Sequence, residues 1–166
     1  MANTYTLIEA KTLGSNTASV EFTAISGSYT DLLIRLSARS TRSAQNDDLK
    51  LTFNSVTTNR TGVYLYGDGS STGTGTTTVN AGLIDGATAT ASTFGNQDIY
   101  IPNYASSNYK SISVDSVTEN NATGAHASFF AGLWSSTSAI TSILLAPNAG
   151  DFVTYSTFYL YGIKNS

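Results

Sequence analysis

A nucleophile relay of the Ser-His-Asp kind needs an imidazole, and the chain has one, His126, within GAHASFF. No G-x-S-x-G elbow accompanies it, and one imidazole cannot build the several-histidine metal centres of hydrolases. Set among small residues, it reads as an ordinary strand or loop position. Carboxylates number 11, and glycoside hydrolysis needs only two of them across a cleft. Asp47, Asp48, Asp68, Asp85, Asp98, Asp115 and Asp151 fall at strand ends or in loops, where Asp is a turn former, so no pair is assigned. QNDDLK sets two carboxylates beside two amides without the alternating ligand positions of a calcium loop, and reads as a turn entering a strand. Cysteine is absent, which removes thiol nucleophiles, thiolate metal sites and disulfides. No catalytic, cofactor-binding or metal residues are assigned, and the expectation is a protein that is not an enzyme.

The glycine-rich run GDGSSTGTGTTTVN, residues 67–80, poses the phosphate question. A P-loop needs Lys and Ser or Thr after its glycines, between a strand and a helix, so that backbone amides and the ammonium cradle the phosphates. The run has no Lys, no helical pattern follows, and the βαβ unit of a dinucleotide fold is missing. It reads as an inter-strand loop that turns at Gly67, Asp68 and Gly69. Tyrosines carry more weight. There are 10, and Tyr155, Tyr159 and Tyr161 share a face of the last strand. Such a row is buried core in the first reading, a subunit interface in the second, and a sugar-stacking platform with Trp134 nearby in the third.

The elements that must carry these residues have a period of two, the spacing of strands. In TASVEFTAI, Ala18, Val20, Phe22 and Ala24 share one face; in DLLIRLSAR the inward set is Leu32, Ile34, Leu36 and Ala38. Leu49, Leu51 and Phe53 alternate with Lys50, Thr52 and Asn54, and Val63 and Leu65 with Tyr64 and Tyr66. Further strands are expected at Ile99 and Ile101, at Ile112 and Val114, through ASFFAGLW, and along DFVTYSTFYLYGI. SSTSAITSILLAP admits two readings, a short helix capped by Ser135 or Ser136 or a strand ending at Pro147. About eight to ten strands joined by polar loops make the fold class all-β, a jelly-roll-like two-sheet antiparallel sandwich. The 166 residues suit a single domain, with about the first ten a candidate for a short N-terminal arm.

Composition narrows the partners. Charged residues make up 11% of the chain, while Ser and Thr fill 48 of 166 positions, so solubility rests on hydroxyls. A net charge of -3 with 8 basic residues excludes a nucleic-acid groove. Arg35, Arg39 and Arg42 read as one solvated strand face. No apolar run spans a bilayer and the start MANTYTLIEAK lacks a signal-peptide pattern, so synthesis in the cytoplasm without membrane association is expected. The triplets at Asn59-Arg60-Thr61 and Asn121-Ala122-Thr123 match the glycosylation pattern by chance in this reading.

Three stretches carry a resemblance: YTLIEAKTLGSNTASVEFTAISGSYTDLLIRLSARST, STFGNQDIYIPNYASSNYKSISVDSVTENN and AGLWSSTSAITSILLAPNAGDFVTYSTFYLYGIKNS. Together they resemble jelly-roll virion structural proteins of tailed bacteriophages, notably marine and cyanobacterial phages. The most specific parts are TFGNQDIYIPNY, LWSSTSAIT and STFYLYGI, which are strand and turn patterns and not catalytic signatures. A copy of this length, which starts at its first strand and ends just after LYGI, is similar to capsid decoration, or cement, proteins more than to fibre modules. The resemblance implies a homotrimer on the capsid exterior that bridges major capsid proteins, made in the host bacterial cytoplasm and using no cofactor. The segment from Tyr5 to Glu9 and the run from Gly67 to Asn80 are the candidate interface elements. The alternative is a carbohydrate-binding or receptor-binding jelly-roll module of a tail or head fibre, with a surface polysaccharide as partner.

Overall fold

Hydroxyl and β-branched residues alternating with large apolar ones favour extended backbone wherever one side can be buried. In the computed structural model, which describes residues 4–78, 80–119 and 124–164, this produces twelve strands and no helix. They are β1 (Thr4–Thr12), β2 (Val20–Phe22), β3 (Asp31–Ala38), β4 (Asn46–Phe53), β5 (Arg60–Gly67), β6 (Thr72–Thr77), β7 (Asn80–Asp85), β8 (Gly95–Ile101), β9 (Lys110–Glu119), β10 (Ala125–Trp134), β11 (Ile143–Pro147) and β12 (Thr157–Lys164).

Two antiparallel sheets result, ordered β1-β12-β3-β8-β9-β10-β5-β6 and β2-β11-β4-β7. Without β1 and β12 at one margin and the β9–β10 hairpin in the middle, the orders become β3-β8-β5-β6 and β2-β11-β4-β7. That is the strand order of an eight-stranded jelly roll, so the chain is an all-β, jelly-roll-like sandwich. Between the sheets lies one apolar cluster, drawn from Leu32, Ile34 and Leu36 of β3, Leu49, Leu51 and Phe53 of β4, Ile143 and Leu145 of β11, and Phe158 and Leu160 of β12. Trp134 lies within it, its ring 5.3 Å from that of Phe53.

Buried charges tie the loops to this core. Lys110 at the start of β9 is 1% exposed, and its ammonium donates to the carbonyls of Ser106, Asn108 and Ser138 at 2.7 Å each and of Ser136 at 3.3 Å. The same ammonium lies 5.8 Å from the centre of the Trp134 ring. Arg39 donates to the carbonyls of Ala87, Ala89, Thr90 and Thr93 and holds the β7–β8 loop. Asp31 accepts from the Tyr100 hydroxyl and the Asn103 amide, and Asp47 from Arg42 and the Ala149 amide.

Several expectations change. The glycine-rich run is not a loop: after a turn at Asp68–Ser71 it forms β6, the outer strand of the large sheet, although Val79 lies outside the described residues. From Thr4 onward the candidate arm is β1, hydrogen-bonded to β12; residues 1–3 lie outside the described residues. β2 is limited to Val20–Phe22, because Ala24 turns the chain with φ 52°. The last strand begins only at Thr157, because Tyr155 sits in a turn at φ 74°. SSTSAITSILLAP contains no helix and ends in β11. In β5 Val63 and Leu65 face outward while Tyr64 and Tyr66 turn in. The triplet at residues 121–123 lies outside the described residues.

Candidate functional site

Residues directly opposite each other on neighbouring strands share a sheet face, so the register specifies what the large sheet presents to solvent. One row runs across all eight strands, Thr76, Val63, Ala131, Ser113, Tyr100, Leu33, Tyr161, Leu7. The row beside it is Thr74, Leu65, Phe129, Asp115, Asp98, Arg35, Tyr159, Ala10. Apolar side chains therefore concentrate at the two margins. At the β5–β6 end Val63 and Leu65 are 55% and 56% exposed; at the β1 end Tyr5 and Leu7 are 60% and 50% exposed. A groove of about 400 Å³ between Val63, Leu65, Phe129 and Ala131 follows the first margin.

The centre of this face is ionic. Arg35 grips Asp98 through two hydrogen bonds, Nε to Oδ1 at 2.7 Å and Nη2 to Oδ2 at 2.6 Å, which raises the guanidinium pKa. Asp115 stands opposite Asp98, so Arg35 offsets one of two facing carboxylates. Tyr100 stands in the neighbouring row, also on β8; burial and its bond to Asp31 push the phenol up to about 12.

β6 owes its place to its glycines. A Cβ on Gly75 would lie 2.5 Å from the Tyr64 hydroxyl, and one on Gly73 would lie 2.6 Å from the Tyr66 hydroxyl. Threonine alternating with glycine thus gives a strand with one bare face, on which two tyrosine rings lie. Those rings belong to a stacked series. Phe130 and Tyr64 are 5.1 Å apart, Tyr64 and Tyr66 6.3 Å, and Tyr66 and His126 5.2 Å. The series closes the inner face of β5 and β10, and a cleft of about 370 Å³ opens between it and Asn46, Asp48 and Leu83 of β4 and β7.

The structure separates most residues that could have done chemistry. Asp68 caps the β5–β6 turn, accepting from the amides of Ser70 and Ser71, and these bonds lower its pKa. Asp85 is buried beneath the Glu119 amide, and burial raises its carboxyl. The three arginines do not form one face: Arg35 is on the outer surface, Arg39 is buried, and Arg42 reaches Asp47. Tyr159 and Tyr161 lie half-buried on the outer face with ring centres 6.5 Å apart, whereas Tyr155 is 74% exposed elsewhere. Trp134 is too deeply buried to join a sugar platform. What the fold does bring together is Asp48 and His126, on either side of the aromatic cleft. Among the described residues no group of three or more His, Asp or Glu side chains is placed to hold a metal ion.

No protein-family model, curated protein or solved structure matches the chain.

Proposed function

We propose that this chain is a non-enzymatic structural protein of a bacteriophage virion, a capsid decoration protein that assembles as a homotrimer on the outer shell and stabilises contacts between major capsid proteins. The observation that carries the reading is the pair of open margins on the eight-stranded sheet. β6 offers a straight edge without charge, proline or bulge, the features by which proteins usually discourage edge pairing. β1 is the last strand at the other margin, with no further strand beside it among the described residues. Setting β1 of one copy beside β6 of the next brings Tyr5 and Leu7 against Val63 and Leu65 on a single face. Such a heterologous contact closes into a ring of three copies when each contact turns the chain by about 120°, and leaves the small sheet and loops free for the capsid.

The test is the solution mass by light scattering after size-exclusion chromatography. The wild type is expected near three times 17.4 kDa. Leu7→Glu and Leu65→Glu each spoil one margin, so each alone is a monomer, while their mixture forms a dimer through the two intact margins. A wild type that stays monomeric at every concentration, or a Leu65→Glu variant that leaves the trimer intact, defeats the proposed assembly.

A further inference from the structure

The charged side chains buried in the sandwich, Asp31, Arg39, Asp47, Asp85 and Lys110, all have hydrogen-bond partners. The cleft between β4–β7 and β5–β10 is different. Asn46, Asp48, Tyr64, Tyr66 and His126 all contribute to its wall, and none of their side chains has a hydrogen-bond partner among the described residues. The Nδ1 atom of His126 is buried without a partner among the described residues. Asp48 is half-buried, and burial, with Asp47 nearby, raises its carboxyl above the ordinary range against the opposing pull of Arg42 and Lys50. An unpaired carboxylate in such a place is a cost to the fold, and a ligand that hydrogen-bonds to it would offset that cost.

The lining selects the ligand. No Lys or Arg lines the cleft. The cations acting on Asp48, Arg42 and Lys50, are engaged by Asp47 and by the Asn148 carbonyl, so a phosphate or an acidic sugar would meet the Asp48 carboxylate with no cation in the cleft wall. Adjacent rings lie within 28° of parallel and stack in series, so they form a wall and not the crossed planes of a cage for an ammonium ion. What remains is a mixture of acceptors and donors, a carboxylate, a carboxamide, two phenols and an imidazole, beside the apolar flanks of Leu83 and Phe130. Multiple hydroxyls on a compact carbon frame match that mixture. We propose that this cleft binds a neutral saccharide of about one or two sugar rings, with Asp48 and Asn46 holding its hydroxyls and Tyr66 and His126 forming the opposite wall. The site is independent of the sheet margins and does not rest on the assembly proposed above.

Titration of the full isotope-labelled chain with methyl glucoside, methyl galactoside, N-acetylglucosamine, maltose and cellobiose tests this by nuclear magnetic resonance. Tetramethylammonium and glucuronate serve as cationic and anionic comparisons. At least one neutral sugar is expected to shift the amides of Asn46, Asp48, Tyr66 and His126 along a saturating curve, with Kd on the order of 1 mM. Asp48→Asn should weaken binding by about tenfold or more while melting no lower than the wild type at neutral pH. Tyr66→Phe keeps the ring over Gly73 and should also weaken binding without unfolding the chain. The proposal is overturned if no neutral sugar shifts these amides up to roughly 50 mM, if Asp48→Asn binds like the wild type, or if only tetramethylammonium or glucuronate saturates.

Discussion

Replacing Lys110 by Met keeps an unbranched stem of similar length and removes only the ammonium. That ammonium has three N–H donors, and it meets three carbonyls at 2.7 Å and a fourth at 3.3 Å. Hydrogen bonds to a charged group contribute about 1.5–3 kcal/mol each, so the gross loss is about 4.5–9 kcal/mol. Two effects reduce it. Burial lowers the lysine pKa, so removing the charge relieves desolvation, and the carbonyls of Asn108 and Ser138 belong to exposed residues that water can reach. A net loss of about 2–4 kcal/mol follows, which for a domain of this size lowers Tm by about 4–16 °C. Hydrogen exchange should localise the damage. The amides of Ser106, Ser136 and Ile140, bonded to Asn103, Trp134 and Tyr104, should lose protection while β4 and β12 keep theirs. A Tm within about 1 °C of the wild type, or an even loss of protection across the sandwich, would refute the reasoning.

Two further substitutions address the aromatic cleft. Gly75→Val drives a side chain into the Tyr64 ring, whose Cζ lies 2.6 Å from the point a Cβ at residue 75 would occupy, and overpacking of this kind costs about 1–3 kcal/mol. Thr74→Val, on the opposite face of β6, should leave the thermal melt nearly unchanged. The Asp48 carboxyl titrates above its ordinary 3.8 in the folded chain and returns to that value on unfolding. Between the two values the folded state binds more protons, so this group's contribution is greatest at low pH and falls as pH rises through the window. Asp48→Asn abolishes that slope, and denaturant midpoints should show its advantage over the wild type growing from about pH 4 and then levelling off.

The strands that sequence alone locates are those with one buried face and one polar face. In β3, Leu32, Ile34 and Leu36 alternate with residues that tolerate solvent, so periodicity and burial agree. In β5 all four of Val63, Tyr64, Leu65 and Tyr66 are apolar enough for either side, so periodicity locates the strand without orienting it. The orientation comes from β6, whose glycines accept the tyrosine rings. β6 itself escapes a hydrophobicity pattern because Thr and Gly carry none, and Gly is a weak strand former. Its signal is still present: a T-G-T-G-T alternation a short turn after Y-L-Y, with small residues placed to face large ones. Alternation alone extends β12 back through Tyr155, whereas the positive φ of that residue ends the alternation there.

The candidate sites are legible only in part. Tyr5 to Glu9 and Gly67 to Asn80 are identifiable as exposed, polar-flanked segments, but that β1 and β6 form opposite margins of one sheet depends on the jelly-roll strand order, which local patterns do not specify. Asp48 and His126 are each visible as titratable residues with an ordinary local explanation. Their meeting across one cleft depends on how far the small sheet extends over the large one. Where its cover ends, the rings of Tyr64 and Tyr66 take over the inner face of β5 and leave polar side chains on the cleft wall unpaired. An apolar wall there would have been simpler to fold. That these positions are polar is the reason to look for a ligand in the cleft, and not only for partners along the sheet margins.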